Sequence, residues 1–187
     1  MQPAQHDVSA IPGTTLPGGR ALPDVNQLSL DALLDLDAAT LEALYQRART
    51  PRIEELSGDL PGRMLATVVL PVRVADPVRR FAGSSAFPWK GKTFRPLGAD
   101  HGEGDNRILS NRIHRFRFTT HLGPSRAGAF DALHLDYDHA DNPFFIRVVQ
   151  DELRTLRDGL WLGQAYLATQ GAPRLVLYFG LARTLPA

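Results

Sequence analysis

Residues Leu153–Arg183 read LRTLRDGLWLGQAYLATQGAPRLVLYFGLAR. Two apolar runs, Leu160–Ala168 and Leu175–Ala182, flank the breaker Thr169-Gln170-Gly171-Ala172-Pro173. Both runs are rich in aromatic and branched side chains, which suit a pleated, half-buried surface. The pattern predicts an antiparallel hairpin, the last two strands of a curved all-β sheet or barrel. Its inward face stays open between two registers. Either Trp161, Ala165 and Leu167 point inside, or Leu160, Leu162, Gln164 and Tyr166 do. In the second run Tyr178 alternates with Leu177 and Phe179.

Immediately upstream, Asn142–Gly159 supports two readings. Asn142 as N-cap, Pro143 at the first helical position and Gly159 past the end frame a helix. Asp158-Gly159 between apolar runs is also a tight-hairpin signal. The preferred reading is a short helix from Pro143 to about Val149, then a strand Glu152–Leu156 pairing with Leu160–Leu167. A helix running to Leu156 is the alternative.

Further back, alternation is clear from Arg112: His114, Phe116, Phe118 and Thr120 share one face. Two phenylalanines mark that face as interior, so His114 is expected inside. Across Ala129–Asp138 the buried set is Leu133, Leu135 and Tyr137, which leaves His134 and Asp136 toward solvent. Phe87–Phe94 is a second aromatic focus. It predicts a strand carrying Trp89 and Phe94, with Gly91 where another backbone comes close. Leu97–Arg107, dense in Gly and Asp, reads as a polar loop that is disordered or borders a site.

Gly62–Leu70 is the expected first strand, opened by Pro61-Gly62, and Ala75–Phe81 a short helical or irregular link. Asp37 is a plausible N-cap for a helix Ala38–Arg47 that closes one end of a barrel. Residues Met1 to about Asn26 are rich in Pro, Gly, Ser and Thr and bury little apolar surface. They read as a flexible tail, or as a strap anchored by Ile11, Leu16 and Leu22. The expected organisation is a tail over 1–27 and one mainly β domain over 28–187. That domain is an antiparallel barrel or strongly curved sheet of about seven to ten strands, with one or two helices covering an end.

The 187 residues leave room for a real core, and a hydrophobic fraction of 43% is ordinary for a globular chain. Lys+Arg number 21 against 20 Asp+Glu, and only Lys90 and Lys92 are lysine. The basic residues are scattered, so no footprint for nucleic acid is expected. With no cysteine, disulfides, thiolate chemistry and Cys-ligated metals are excluded. The N-terminus lacks a signal-peptide pattern, and no apolar run reaches the roughly 18–20 residues of a membrane span. A cytoplasmic location is expected.

No motif singles out a chemistry. Lys90-Gly91-Lys92-Thr93 ends like a P-loop, but its upstream glycine is missing, with Ala86 in that place. Gly123-Pro-Ser125-Arg-Ala lacks the second glycine of a hydrolase elbow. His134-x-Asp136, His139-x-Asp141 and His101 are read as surface polar residues, so no metal and no cofactor is expected.

The order of parts carries a resemblance. A helical N-terminal element precedes a Trp89-x-Gly91-x-x-Phe94 segment and antiparallel strands, which close with Gly-Leu-Trp-Leu-Gly-Gln-Ala-Tyr and Leu-Val-Leu-Tyr-Phe. Over residues 58–183 this resembles lipocalin-like (calycin) β-barrels that hold small hydrophobic molecules. The chain departs from that pattern. Gly-x-Trp does not open its first strand, and both the disulfide and the secretion signal are absent. Haem-binding barrels of similar shape use a histidine axial ligand, for which His114 would be the candidate.

Three functions are therefore expected as alternatives. The first is a binding protein for a small hydrophobic ligand, with Trp89, Phe116, Phe118, Tyr137, Trp161, Tyr166 and Tyr178 lining the cavity. The second is a cofactor-independent isomerase or cyclase acting on an apolar intermediate. It would use His114 as acid/base, Tyr137 as hydrogen-bond donor and Glu152 or Arg112 as partner. The third is a structural or interaction domain with a filled core.

Overall fold

In the computed structural model, which describes residues 21–68, 88–110 and 112–183, eight antiparallel strands close into a barrel. They are β1 (Gly58–Thr67), β2 (Trp89–Pro96), β3 (His101–Ile108), β4 (His114–Pro124), β5 (Asp131–Asp136), β6 (Val149–Arg157), β7 (Leu160–Leu167) and β8 (Arg174–Ala182). Each strand pairs with the next, and β8 returns to β1. The architecture is the mainly β barrel that the closing stretch predicts.

The hairpin β6–β7 turns at Asp158-Gly159, where Gly159 has φ 76 and Arg157 pairs with Leu160. A one-turn helix, Phe144–Arg147, precedes it, so the short-helix reading is the one realised. Strand β7 is covered on both sides. Trp161 and Ala165 join the barrel core, while Leu160 and Leu162 pack outside under the N-terminal elements. A strand buried on both faces reads as a continuous apolar run, which is why its register stayed open.

Helix α1 (Ala38–Arg47) starts where expected, with Asp37 Oδ1 accepting from the Thr40 amide at 2.8 Å. Its place differs from the expectation. It does not close an end of the barrel; its Leu41, Leu44 and Tyr45 cover the outer apolar face of β6–β8, against Leu160, Leu162 and Tyr178. The end near the β6–β7 turn is filled instead by Ile53 and Leu56, which pack with Leu60, Phe94, Leu133 and Trp161. Glu42 fastens α1 to the sheet, accepting from Tyr178 Oη at 2.6 Å and Gln164 Nε2 at 2.7 Å. Glu42→Ala strands both buried donors and is expected to cost about 1–3 kcal/mol, read as a fall in the urea midpoint at unchanged slope.

Three segments correct the sequence reading. Strand β1 begins at Gly58 and passes through Pro61, which pairs with Gly91; Leu70, Ala75–Phe81 and Phe87 lie outside the described residues. Gly91 has φ 124, and a Cβ there would fall 2.7 Å from the Gly62 nitrogen and closer still to the Leu60 carbonyl. The close backbone approach expected at Gly91 is thus what lets a proline-bearing strand pair. Gly91→Ala is expected to cost about 3 kcal/mol or more, seen as a large drop in Tm.

The polar stretch Leu97–Arg107 is not a loop: most of it is β3. Its inner positions, Gly102 and Gly104, carry no side chain because Thr120 and Phe118 occupy that space. Its outer Glu103 and Asp105 pair with Arg95 at 3.2 and 2.7 Å. The usual apolar alternation is therefore invisible in sequence. His134 is also not solvated. It is 8% exposed, held between the Pro124 carbonyl at 3.1 Å and Arg126 Nη1 at 3.1 Å. No helix among the described residues is long and apolar enough to cross a membrane.

Candidate functional site

The barrel interior is unevenly filled. Toward the β6–β7 turn it is packed solid, as described. Toward the other end, where β2, β4, β6 and β8 begin, lies a cavity of about 260 Å³. Phe116, Ile146, Val149, Leu177 and Phe179 form much of its apolar wall. One side is polar and carries Trp89, Lys92, Asn106, Tyr137 and Asp151.

Strand alternation brings these groups together. Lys92 on β2 shares the inner face with Phe94, and Asp151 on β6 shares it with Leu153. Asn106 follows the side-chain-free Gly104 on β3, and Tyr137 follows β5 by one residue. Lys92 Nζ donates to Asn106 Oδ1 at 2.9 Å, to Asp151 Oδ2 at 3.0 Å and, in a short contact, to Tyr137 Oη. The Tyr137 hydroxyl donates to Asp151 Oδ2 at 2.9 Å. Trp89 Nε1 donates to Asn106 Oδ1 at 2.8 Å, and Asn106 Nδ2 donates to the Phe116 carbonyl at 3.3 Å. An indole can only donate and a carbonyl can only accept, so these two neighbours set the orientation of the amide.

Donor counting agrees with one set of charges. An ammonium has three N–H groups, and three acceptors surround Nζ. A phenol that accepts from lysine has its own proton free for the carboxylate. These contacts fit an ammonium–carboxylate pair with a neutral phenol. Lys92 and Asp151 side chains are only 3% and 5% exposed. The rings of Trp89, Phe118, Tyr137 and Phe179 lie 5.1–5.6 Å from Nζ, within range of attraction between a cation and ring faces. Burial pulls the Lys92 ammonium below its ordinary pKa, and the Asp151 charge opposes this. Burial, then the same charge, holds the Tyr137 phenol well above its usual value.

The residues singled out from sequence fall into three groups. Trp89, Phe116 and Tyr137 line the cavity. Phe118 lies against the Tyr137 ring at 5.4 Å, and Trp161 is buried in the core. The others do not reach the cavity. Tyr166 and Tyr178 face outward under α1, in the chain Tyr166–Gln164–Glu42–Tyr178. Glu152 is fully buried on the outer face, accepting from Ser125 Oγ at 2.6 Å and Arg126 Nη1 at 2.5 Å. Arg112 sits on the exposed β3–β4 turn.

His114 is 39% exposed and pairs with Asp105 on the outside, so neither an interior acid/base nor a haem ligand stands at that position. The cause is local. Phe116 has φ 58, and the β3–β4 register shifts between Gly104 and Asn106. This bulge breaks the alternation that grouped His114 with Phe116 and Phe118.

Lys92, Asn106 and Asp151 were not singled out from sequence. Two signals bore on them. Lys92 is one of two lysines among 21 basic residues, and it shares a strand face with Phe94. Asp151 stands two residues before Leu153 on an inward face. An ionisable residue in phase with buried apolar neighbours is the pattern to look for. Among the described residues no group of three or more His, Asp or Glu is placed to hold a metal ion.

No family model matches the chain, and no curated protein matches it. A solved structure described as a protein from Thermomonospora curvata is similar over 80% of this chain and 89% of its own, with a TM-score of 0.46 and 20% identity. Neither its description nor that degree of likeness carries a function. The strand number and up-and-down order agree with lipocalin-like barrels at the level of architecture, and no family is thereby identified.

Proposed function

We propose that the barrel binds a small, mainly apolar molecule in this cavity, with the Lys92–Asp151–Tyr137 cluster at one end of it. One observation carries the reading: an apolar void stands beside a desolvated, hydrogen-bonded ion pair. A barrel selected only for stability would do as well or better with apolar residues in place of the pair. It would also gain from filling the void. The volume is at the small end for ligand sites, which run from about 300 Å³ upward, and corresponds to about nine waters of liquid. The ligand is therefore compact, with Trp89, Phe116 and Tyr137 among its contacts.

Ala165 lines the cavity from β7. Ala165→Phe is expected to fill much of the space, leave the circular dichroism of the barrel intact and abolish ligand retention. Native mass spectrometry of both proteins, with extraction of what co-purifies, checks this. A wild-type protein that retains nothing and binds no apolar probe sinks the reading.

A second reading is a cofactor-independent isomerase or cyclase on the same cavity. It is favoured by a buried carboxylate beside a mainly apolar cavity, where proton transfer is effective. Asp151, rather than His114, would move the proton. Its mark is chemical change of the bound molecule that stops in Asp151→Asn.

A further inference from the structure

We infer that the ligand carries a hydrogen-bond donor, a hydroxyl or N–H group, that is received by Asp151; this rests on the cavity being a binding site. Every donor of the cluster is used. The three protons of the Lys92 ammonium go to Asn106, Tyr137 and Asp151, and the Tyr137 proton goes to Asp151 Oδ2. The Trp89 N–H and the Asn106 amide are satisfied too. The cluster therefore has no proton left to offer an incoming carbonyl or ether.

It has an acceptor left. Asp151 Oδ1 is shielded from water and has no hydrogen-bond donor among the described residues. It belongs to a side chain 5% exposed, on a residue that lines the cavity. A buried carboxylate oxygen left bare is costly, and a turn of the carboxylate that presents Oδ1 to the cavity lets a donor brought by the ligand remove that cost. The chemistry that fits is an apolar alcohol, phenol or N–H heterocycle. The matching ether, N-methyl compound or ketone fills the same space but leaves Oδ1 bare. Sites that hydrogen-bond a hydroxyl reject the analogue lacking it far more strongly than apolar pockets distinguish shapes.

The test compares two probes of one shape, 2-naphthol and 2-methoxynaphthalene, by titration against Trp89 fluorescence and by calorimetry. Wild-type protein is expected to bind the naphthol at least about tenfold more tightly. Asp151→Asn keeps an acceptor toward Lys92 and turns the bare oxygen into an N–H donor. In that variant the order is expected to reverse, with the ether ahead. Loss of folding cannot produce a reversal, and the wild-type comparison stands by itself if the variant does not fold. Equal binding of the two probes by the wild type overturns the inference and leaves the binding reading intact. So does a naphthol preference that persists unchanged in Asp151→Asn. If neither probe binds and nothing co-purifies, the binding reading falls and takes this inference with it.

Discussion

Asp151→Ala is expected to destabilise the barrel by about 3–5 kcal/mol, the usual cost of leaving one member of a buried ion pair without the other. The residue left behind is an ammonium 3% exposed, ringed by four aromatic side chains. Rings attract a cation but do not replace a carboxylate. Lys92→Met is expected to cost a similar amount, since it leaves the carboxylate of Asp151 buried against Tyr137 alone. The double variant Lys92→Met, Asp151→Ala removes both charges at once. It is expected to recover at least roughly half of either single loss, because desolvation then opposes folding for neither group. The measurement is a double-mutant cycle from urea unfolding. Single losses below about 1 kcal/mol, the range of solvated pairs, would show that the pair is not desolvated. The same cycle separates function from stability. A double variant that folds well and no longer prefers donor-bearing probes places the recognition in the charges themselves.

Above about pH 10 the barrel is expected to lose stability steeply, and its phenols to ionise only as it unfolds. All four tyrosines of the chain, Tyr45, Tyr137, Tyr166 and Tyr178, have their pKa raised, in each case first by burial. Nearby carboxylates add to it: Glu152 at Tyr45 and Tyr166, Asp151 at Tyr137 and Glu42 at Tyr178. The sign follows from linkage. A group whose native pKa is raised contributes fully below its unfolded value of about 10, and that contribution is lost as pH rises toward the native value. Each phenol removes up to about 1.4 kcal/mol per pH unit in that window.

Lys92 acts in the opposite direction. Burial lowers its native pKa, so the native state gains with rising pH until the unfolded lysine titrates at about 10.5. One group against four leaves a net loss. Tyrosinate absorbance at 295 nm during an alkaline titration checks this. The expected curve is flat past pH 10 and then rises in one step together with loss of circular dichroism. Gradual ionisation of two or more phenols before unfolding would contradict the burial on which both the α1 interface and the cavity wall rest.

These two results concern different parts of the molecule, and the sequence disclosed them unequally. The outer tyrosines stood in plain view in the closing hairpin, where alternation gave two sets of residues without saying which was inside. Apart from the exposed Leu167, both sets are buried, Trp161 and Ala165 by the barrel and Leu160 and Leu162 by α1. Tyr166 and Tyr178 thus belong to helix packing, and only the helix's position could reveal it. His114 was misplaced for a different reason. Alternation is a sound rule along an unbroken strand, and the bulge at Phe116 is a backbone event with no glycine to announce it. Strand β3 was hidden because its inner face is built from glycines under Phe118 and Thr120, so its apolar partner lies on another strand.

What the sequence determined alone is local. The Asp37 cap, the Asp158-Gly159 turn and the strand character of the last two runs each depend on residues near in sequence. They follow from backbone sterics and side-chain periodicity. The partner of Gly91, by contrast, is on β1. What the tertiary structure decided is which residues meet. Lys92, Asn106, Tyr137 and Asp151 come from four different strands or strand ends, up to 59 positions apart. No spacing rule links them, because barrel closure and strand register set their distances. The cavity has the same origin. It is space left between inner faces whose side chains stop short of filling it, and an unfilled volume is a property of the packed barrel, with no counterpart in any single stretch of the chain.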